Sequence, residues 1–513
     1  MASKILTGDM PELMEKILNN LEYEIYSLYS CTLVNRYWCK MSIPILWQEP
    51  FVFNRRPLYI SNYFSSLGEY EKNILKECGI NEEFSKTIFD YARFLKALDL
   101  SRLEFQVEQW IELVLVNSNL LNDINLKYNI TIVINNLLFK VLIENGATLH
   151  NLDLCFSRVR EYKPEIFYVL EQNEQFLSQL QYLSLSAIEF NYIDSATAWL
   201  RVVAKYATKI ITLNIEDFYP DFDPQIFHAL INVIKSQEQL RLFGIAGAEF
   251  FTEYHGMISA LKSQKNSLQE VIINSCAFNE EFEVLKNCKN LETLRIKNCD
   301  QELSKLSKIL DPKISNKIST LEVIYCQTDT IILMLEKFGI LLQRLRLKLD
   351  GDKSLEYTLL LEALKSFCPN IIYLDIRNVK FSTQLVELIS DLQKLQFLSL
   401  QCYTDGISDE ALKKRVIQFS ELLPLTLQYL DLDNWLGSYT DILLNHCNVP
   451  LKKLLFYKIY NEKISKALIE FCIRNKALKY VGIYYDFYLD DNIRKEVEAY
   501  VELVLYGHII EYC

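Results

Sequence analysis

The feature that most constrains this chain is a spacing of apolar residues, apolar-x-x-apolar-x-apolar, that returns along most of its length. Leu291, Leu294 and Ile296 form one clear copy. Others begin at Leu149, Leu180, Ile210, Leu240, Leu268, Ile318, Leu342, Ile371, Leu395, Leu427, Leu451 and Leu478. Successive starts lie between 23 and 32 residues apart, about 27 on average. Weaker copies at Leu95 and Leu121 keep the same phase. The last two apolar positions of each copy alternate with other residues, as in a half-buried strand. Between copies the spacing turns helical. Over 381–395, Leu385, Leu388, Ile389 and Leu392 share one helical face behind a cap at Ser382 or Thr383.

A single strand and helix cannot bury their own apolar face, so such units must stack. Each buried Leu or Ile then contributes roughly 1.5–3 kcal/mol, but only once its neighbours cover it. Period and pattern together predict an α/β fold, a leucine-rich-repeat solenoid with parallel strands on the concave face and helices on the convex face. Three copies carry Cys eight residues after the start: Cys276, Cys299 and Cys326. Two readings stand for them, a metal-binding ladder or small residues packed under the strand-to-helix turn. Cys368-Pro369-Asn370 resembles the cysteine-containing repeat subtype common among ubiquitin-ligase receptors.

Composition narrows the function classes. The chain has 513 residues, with 54 Lys and Arg against 66 Asp and Glu, a net charge of −12. That balance disfavours non-specific nucleic-acid binding. Gly and Pro are scarce, and neither GxGxxG nor GxxxxGK[ST] occurs. No run of about 18 uncharged apolar residues and no secretory signal core is present, so no membrane association is expected. The cysteines include no CxxC pair, which fits free thiols in a reducing cytoplasm or nucleus. The five histidines form no HExxH. His446 and Cys447 are sequence neighbours, so their side chains diverge in regular structure. Neither Asp490-Asp491 nor Glu280-Glu281 has glycosidase geometry by adjacency alone. The expectation is a non-enzyme with no cofactor and no metal.

Residues 1–50 break the repeat. Asp9 can cap a first helix that starts at Pro11, with Leu13, Ile17, Leu18 and Leu21 on one face. Leu28, Cys31, Val34 and Trp38 suggest a second amphipathic helix. Helices this few make a poor independent core and call for a partner. The run Met10-Pro11-Glu12-Leu13, Ile17-Leu18-x-x-Leu21, Leu28 to Cys31, Val34-Asn35-Arg36-x-Trp38 and Leu46-Trp47 resembles an F-box. Met10 stands where Leu is commoner.

That resemblance implies the substrate-receptor family of SCF-type ubiquitin ligases, F-box proteins with C-terminal leucine-rich repeats. It implies a Skp-family adaptor as partner, with Met10, Pro11, Leu13, Ile17, Leu18, Leu28, Val34 and Trp38 as adaptor-contact or F-box-core positions. An N-terminal helical cap on a scaffold without a ligase role is the alternative. The expected organisation is a helical module over 1–50, a helical linker over 51–94, repeats over 95–490 and a C-terminal cap over 491–513. Within the linker, 73–78 and 84–91 read as short helices and 54–57 as a turn. The whole reads as a monomer within a hetero-complex.

The residues interleaved with the strand leucines would face the concave side. Arg295, Lys297, Arg344, Arg346, Lys348 and Arg377 then form a basic patch in an acidic chain, within roughly 15–20 Å. Such a patch suits an acidic or phosphorylated target segment held by Arg forks. The other reading is a solvated face balanced by neighbouring Glu and Asp. Beyond it, Phe397, Tyr429, Asp431, Asp433, Tyr457, Tyr480 and Tyr484 would form an aromatic and acidic stretch.

Overall fold

The computed structural model describes residues 11–21, 24–52, 56–116, 123–156, 164–187, 193–218, 224–248, 254–299, 305–306, 317–349, 354–458, 462–483, 491–505 and 507. The chain divides into two compact units, Met1–Ser267 and Leu268–Cys513. Asp9, Met10 and Tyr484 lie outside the described residues.

Among the described residues, the first unit begins with the helices α1 (Pro11–Asn19), α2 (Ile25–Thr32) and α3 (Arg36–Leu46). Their core is Met14, Leu18, Leu28, Cys31, Ile43 and Leu46. The second amphipathic helix expected over Leu28 to Trp38 is two helices. The Asn35 side chain accepts a hydrogen bond from the Trp38 amide at 2.9 Å, which starts α3 afresh. Val34 therefore sits in the turn between helices rather than on a helical face. A 3₁₀ helix, Pro57–Ser66, and α4 (Glu69–Glu77) follow. The helix expected at 84–91 is absent. Thr87 Oγ1 donates to the Phe89 carbonyl and meets Ser65 Oγ, side-chain bonding that competes with helical pairing. Trp47 ties the module to this linker, stacking on Tyr91 at 4.0 Å and meeting Tyr63 edge-on at 5.4 Å.

Strands β1 (Ala97–Asp99), β2 (Asn151–Cys155), β3 (Tyr182–Ser186), β4 (Thr212–Phe218) and β5 (Leu242–Gly247) then pair in parallel and in chain order. The copy at Leu95 becomes β1, with Leu98 buried. Leu121 itself lies outside the described residues, and Ile124 and Leu126, the positions of its copy expected on a strand, are helical. Asp123 accepts hydrogen bonds from the Asn125 and Leu126 amides and so starts helix α6 (Ile124–Glu144), which follows α5 (Leu100–Val114). Helix α6 is long and apolar enough to cross a membrane by length and composition. However, 56% of its most apolar window is buried within the protein, the pattern of a core helix.

Among the described residues, the second unit carries ten strands: β6 (Glu270–Asn274), β7 (Thr293–Lys297), β8 (Thr320–Ile324), β9 (Arg344–Lys348), β10 (Tyr373–Lys380), β11 (Phe397–Tyr403), β12 (Tyr429–Asp431), β13 (Lys453–Phe456), β14 (Tyr480–Ile483) and β15 (Glu502–Leu505). They too pair in parallel and in chain order. The stretch expected as a C-terminal cap thus holds one more helix, Asp491–Glu498, and one more strand. The leucines of each copy are buried, as at Leu291, Leu294 and Ile296. Ser382 caps the helix Thr383–Asp391, accepting from the Leu385 amide.

One backbone feature recurs. Ala187, Asp217, Ser275, Asn298, Tyr325 and Asn378 all have positive φ, and each lies seven residues after a copy begins. This left-handed residue turns the chain out of its strand. Where a strand runs past it, at Asp217 and Asn378, the ladder shifts register as at a β-bulge. Cys276, Cys299 and Cys326 come next in sequence and are buried under that turn. Cys299 Sγ approaches the Lys297 carbonyl at 3.1 Å. Among the described residues no group of three or more His, Cys, Asp or Glu is placed to hold a metal ion.

Candidate protein-docking surfaces

Two surfaces gather the residues singled out in the sequence. The first is the outside of the helical module. Leu18 and Leu28 are core residues, while Leu13 and Trp38 are half-buried. Pro11, Ile17 and Val34 are exposed, Val34 at 57%. With them stand three apolar residues that sequence reasoning missed: Tyr26 at 91% exposure, Leu33 at 71%, and Tyr29. Tyr26, Tyr29 and Leu33 follow i, i+3 and i+7 spacing on the opposite side of α2 from Leu28 and Cys31. Apolar spacing on both sides of one short helix was the available signal.

The second surface is the face of the second unit's sheet opposite the buried leucines. Strand register brings the polar positions into rows. One row runs Arg295, Glu322, Arg346, Asp375, and the next runs Lys297, Ile324, Lys348, Arg377. Glu322 is only 1% exposed. Arg295 Nη1 reaches its carboxylate at 2.6 Å and Lys297 Nζ at 3.1 Å, while Arg346 Nη1 stands at 3.8 Å. Arg295 also pairs with Glu270 at 2.6 Å. Asp375 accepts a hydrogen bond from Arg377 Nε at 3.0 Å and forms an ion pair with Arg346, whose Nε lies at 3.1 Å. Arg344 lies over the Tyr373 ring and Lys348 over the Tyr325 ring, at 4.6 and 4.7 Å. The six basic residues are thus brought together, and carboxylates are woven through them.

The two acids of the ladder respond oppositely. Burial pushes the Glu322 carboxyl up, but the bond from Arg295 and the charges of Lys297 and Arg346 prevail and hold it below the ordinary range. Burial prevails at Asp375, whose carboxyl is raised despite Arg377 and Arg346, with Glu322 adding repulsion. A carboxylate with three cations around it ionises readily, and one with two beside another anion less so.

Beyond β10 the face turns aromatic. Tyr373 stacks on Phe397 at 6.1 Å, and Phe397 meets Tyr429 at 5.8 Å. Tyr429 and Leu455 are buried there, with Phe397, Tyr480 and Val504 packed against them. Asp431 is buried and accepts from Ser399 at 3.1 Å. Asp433 is half-buried, and its amide donates to Asp431.

The first unit's open face is acidic instead. Asp99 and Asp153 are register partners on β1 and β2. Burial, then the charge of Asp99, raises the Asp153 carboxyl. A concavity of about 690 Å³ lies beside them, bordered by Ile25, Ile45, Lys96 and His150. Burial and the Lys96 charge hold His150 below its usual range.

Nucleophile chemistry finds little support in the thiols. Burial pushes Cys276 well up, Cys288 and Cys472 to about 11, and Cys368 to about 12. Cys447 is buried and raised for the same reason, while the adjacent His446 Nδ1 lies 3.5 Å from Glu421.

No family model matches the sequence, and no curated protein matches it. Among solved structures, the yeast complex of Rad7 and Elc1 aligns with 76% of this chain and 96% of its own, at 15% identity and a TM-score of 0.39. The complex of TLR13 with ssRNA13 aligns with 71% of this chain and 48% of its own, at 15% identity and a TM-score of 0.33.

Proposed function

We propose that the chain is a non-catalytic substrate-recognition subunit of an SCF-type ubiquitin ligase, working in the cytoplasm or nucleus as one copy within a hetero-complex. The helical module docks a Skp-family adaptor, and the open face of the repeat sheet captures the target protein. No cofactor, nucleic acid or membrane takes part.

The observation that carries this reading is the apolar outer surface of the module. Ile17, Tyr26, Tyr29, Leu33 and Val34 are exposed around a core of few side chains. A soluble module gains from covering such a surface, and a partner helix or sheet edge would do so. The F-box resemblance of the same segment says which partner. Trp47, held between the module and the linker rings, makes the connection stiff. A stiff connection lets a receptor present its target at a fixed distance from the ubiquitin-carrying enzyme.

The test is co-purification. Tagged full-length protein expressed with a Skp-family adaptor and a cullin is expected to recover both. Recovery of neither, with the protein folded, would leave a repeat scaffold without a ligase role.

A further inference from the structure

We infer that the β7 to β10 face binds an extended run of carboxylates on the target, rather than a single phosphorylated side chain. This names the target class for the proposed receptor and rests on that reading only for its biological setting.

The charge count comes first. The face positions of β6 to β10 hold six cations: Arg295, Lys297, Arg344, Arg346, Lys348 and Arg377. They hold three carboxylates: Glu270, Glu322 and Asp375, with β10 counted over Tyr373 to Arg377, the residues in register with β9. The face therefore carries an excess of about three positive charges. In a chain of net charge −12, that sign is local and not inherited from composition.

Geometry decides between the two anion types. From β7 to β10 there are three strand spacings, about 14 Å in all. A phosphoryl group carries about two charges on one small tetrahedral centre. It can meet cations from only one or two neighbouring strands. An extended peptide advances about 3.3–3.6 Å per residue, so four or five residues span the same distance. Three carboxylates along such a run match both the length and the excess charge.

The internal acids serve the binding. Glu322 and Asp375 hold Arg295, Arg346 and Arg377 in place by their guanidinium groups. Tyr373 and Tyr325 support Arg344 and Lys348 from below. These side chains have already lost much of their rotamer freedom, so less is lost on binding. Lys297, Lys348 and Arg377 lie in one row, interrupted at Ile324.

The test uses the full chain and two fluorescein-labelled peptides, read by anisotropy at low salt. One carries five consecutive Asp and Glu residues between Gly-Ser flanks. The other carries one phosphoserine in the same neutral flanks. The acidic run is expected to bind at least about tenfold tighter, and to weaken as salt rises. The double variant Lys297→Ala/Lys348→Ala should lose about tenfold. Ile324→Lys, which fills the gap in the row at a half-exposed site, should instead tighten binding a few-fold. The inference is overturned if the acidic run fails to bind, if it binds both variants as it binds the parent, or if the phosphoserine peptide binds as tightly. Adaptor recovery measured on the same preparations reports separately on the receptor reading, since these positions lie far along the sequence from the helical module.

Discussion

Two stretches of the second unit's open face share one backbone and differ in what holds them. From β7 to β10 the face is an ionic ladder, in which Glu322 gathers cations from β7 and β9, and Asp375 one from β9 and one from its own strand. From β10 to β15 it is a largely aromatic ladder, with Tyr429 and Leu455 buried among Phe397, Tyr480 and Val504. The repeat supplies the same alternation in both, so side-chain chemistry alone sets the difference. The ionic stretch spends Coulomb attraction on offsetting desolvation and keeps partly exposed charge facing outward. The aromatic stretch satisfies itself by packing and leaves less for a partner to complete. A regular fold can thus hold a binding stretch beside a reinforcing one without any change of topology.

Substitutions can break this contrast. The largest effect is expected at Glu322. Glu322→Ala would take from Arg295, Lys297 and Arg346, each partly exposed, the buried carboxylate they share, at a cost of about 3–5 kcal/mol. Urea unfolding near neutral pH should read it. The dependence on pH follows from the lowered carboxyl of Glu322. Its contribution is fully present above the unfolded-state value and is lost as pH falls through the folded-state value. The gap between parent and variant should therefore narrow in acid.

Tyr429→Ala removes the buried ring between Phe397 and Leu455 and should cost about 3 kcal/mol. Unlike the Glu322 loss, this one should be the same at acidic and neutral pH. A pH-dependent Tyr429 penalty would mean that the two ladders are not separable. The smallest effect belongs to the first unit. Asp153→Asn should stabilise by less than about 1 kcal/mol at neutral pH, in a thermal melt, because burial and Asp99 make the charge of Asp153 unfavourable. A raised folded-state carboxyl costs stability most fully above that value, so the gain should fade as pH falls through it.

Much of this was legible in the sequence. The repeat register predicted which residues of each strand are buried and which line the open face. It did so because strand alternation is a local, period-two property. The Leu121 copy failed for an equally local reason. Asp123 caps a helix there, and an apolar triplet cannot distinguish a strand from a buried helix. The six basic residues were readable one by one. That Glu322 pairs with Arg295 and Arg346, and Asp375 with Arg346, was not, because these cross-strand neighbours are 24 to 29 residues apart in the chain and only the ladder register brings them together. In the helical module the sequence named the apolar positions. Sorting Leu28 inward and Val34 outward required the break at Asn35 that splits one expected helix into two.

The receptor reading turns on that outer surface. Its most direct measurement is the affinity of the full chain for a purified Skp-family adaptor, by titration calorimetry, beside the variant Ile17→Asp/Val34→Asp. Both side chains are exposed, so the module's core is left intact. The account predicts tight binding by the parent and a loss of at least about a hundredfold in the variant, with unchanged thermal unfolding. Equal affinity for parent and variant, or no binding by the folded parent, would contradict it.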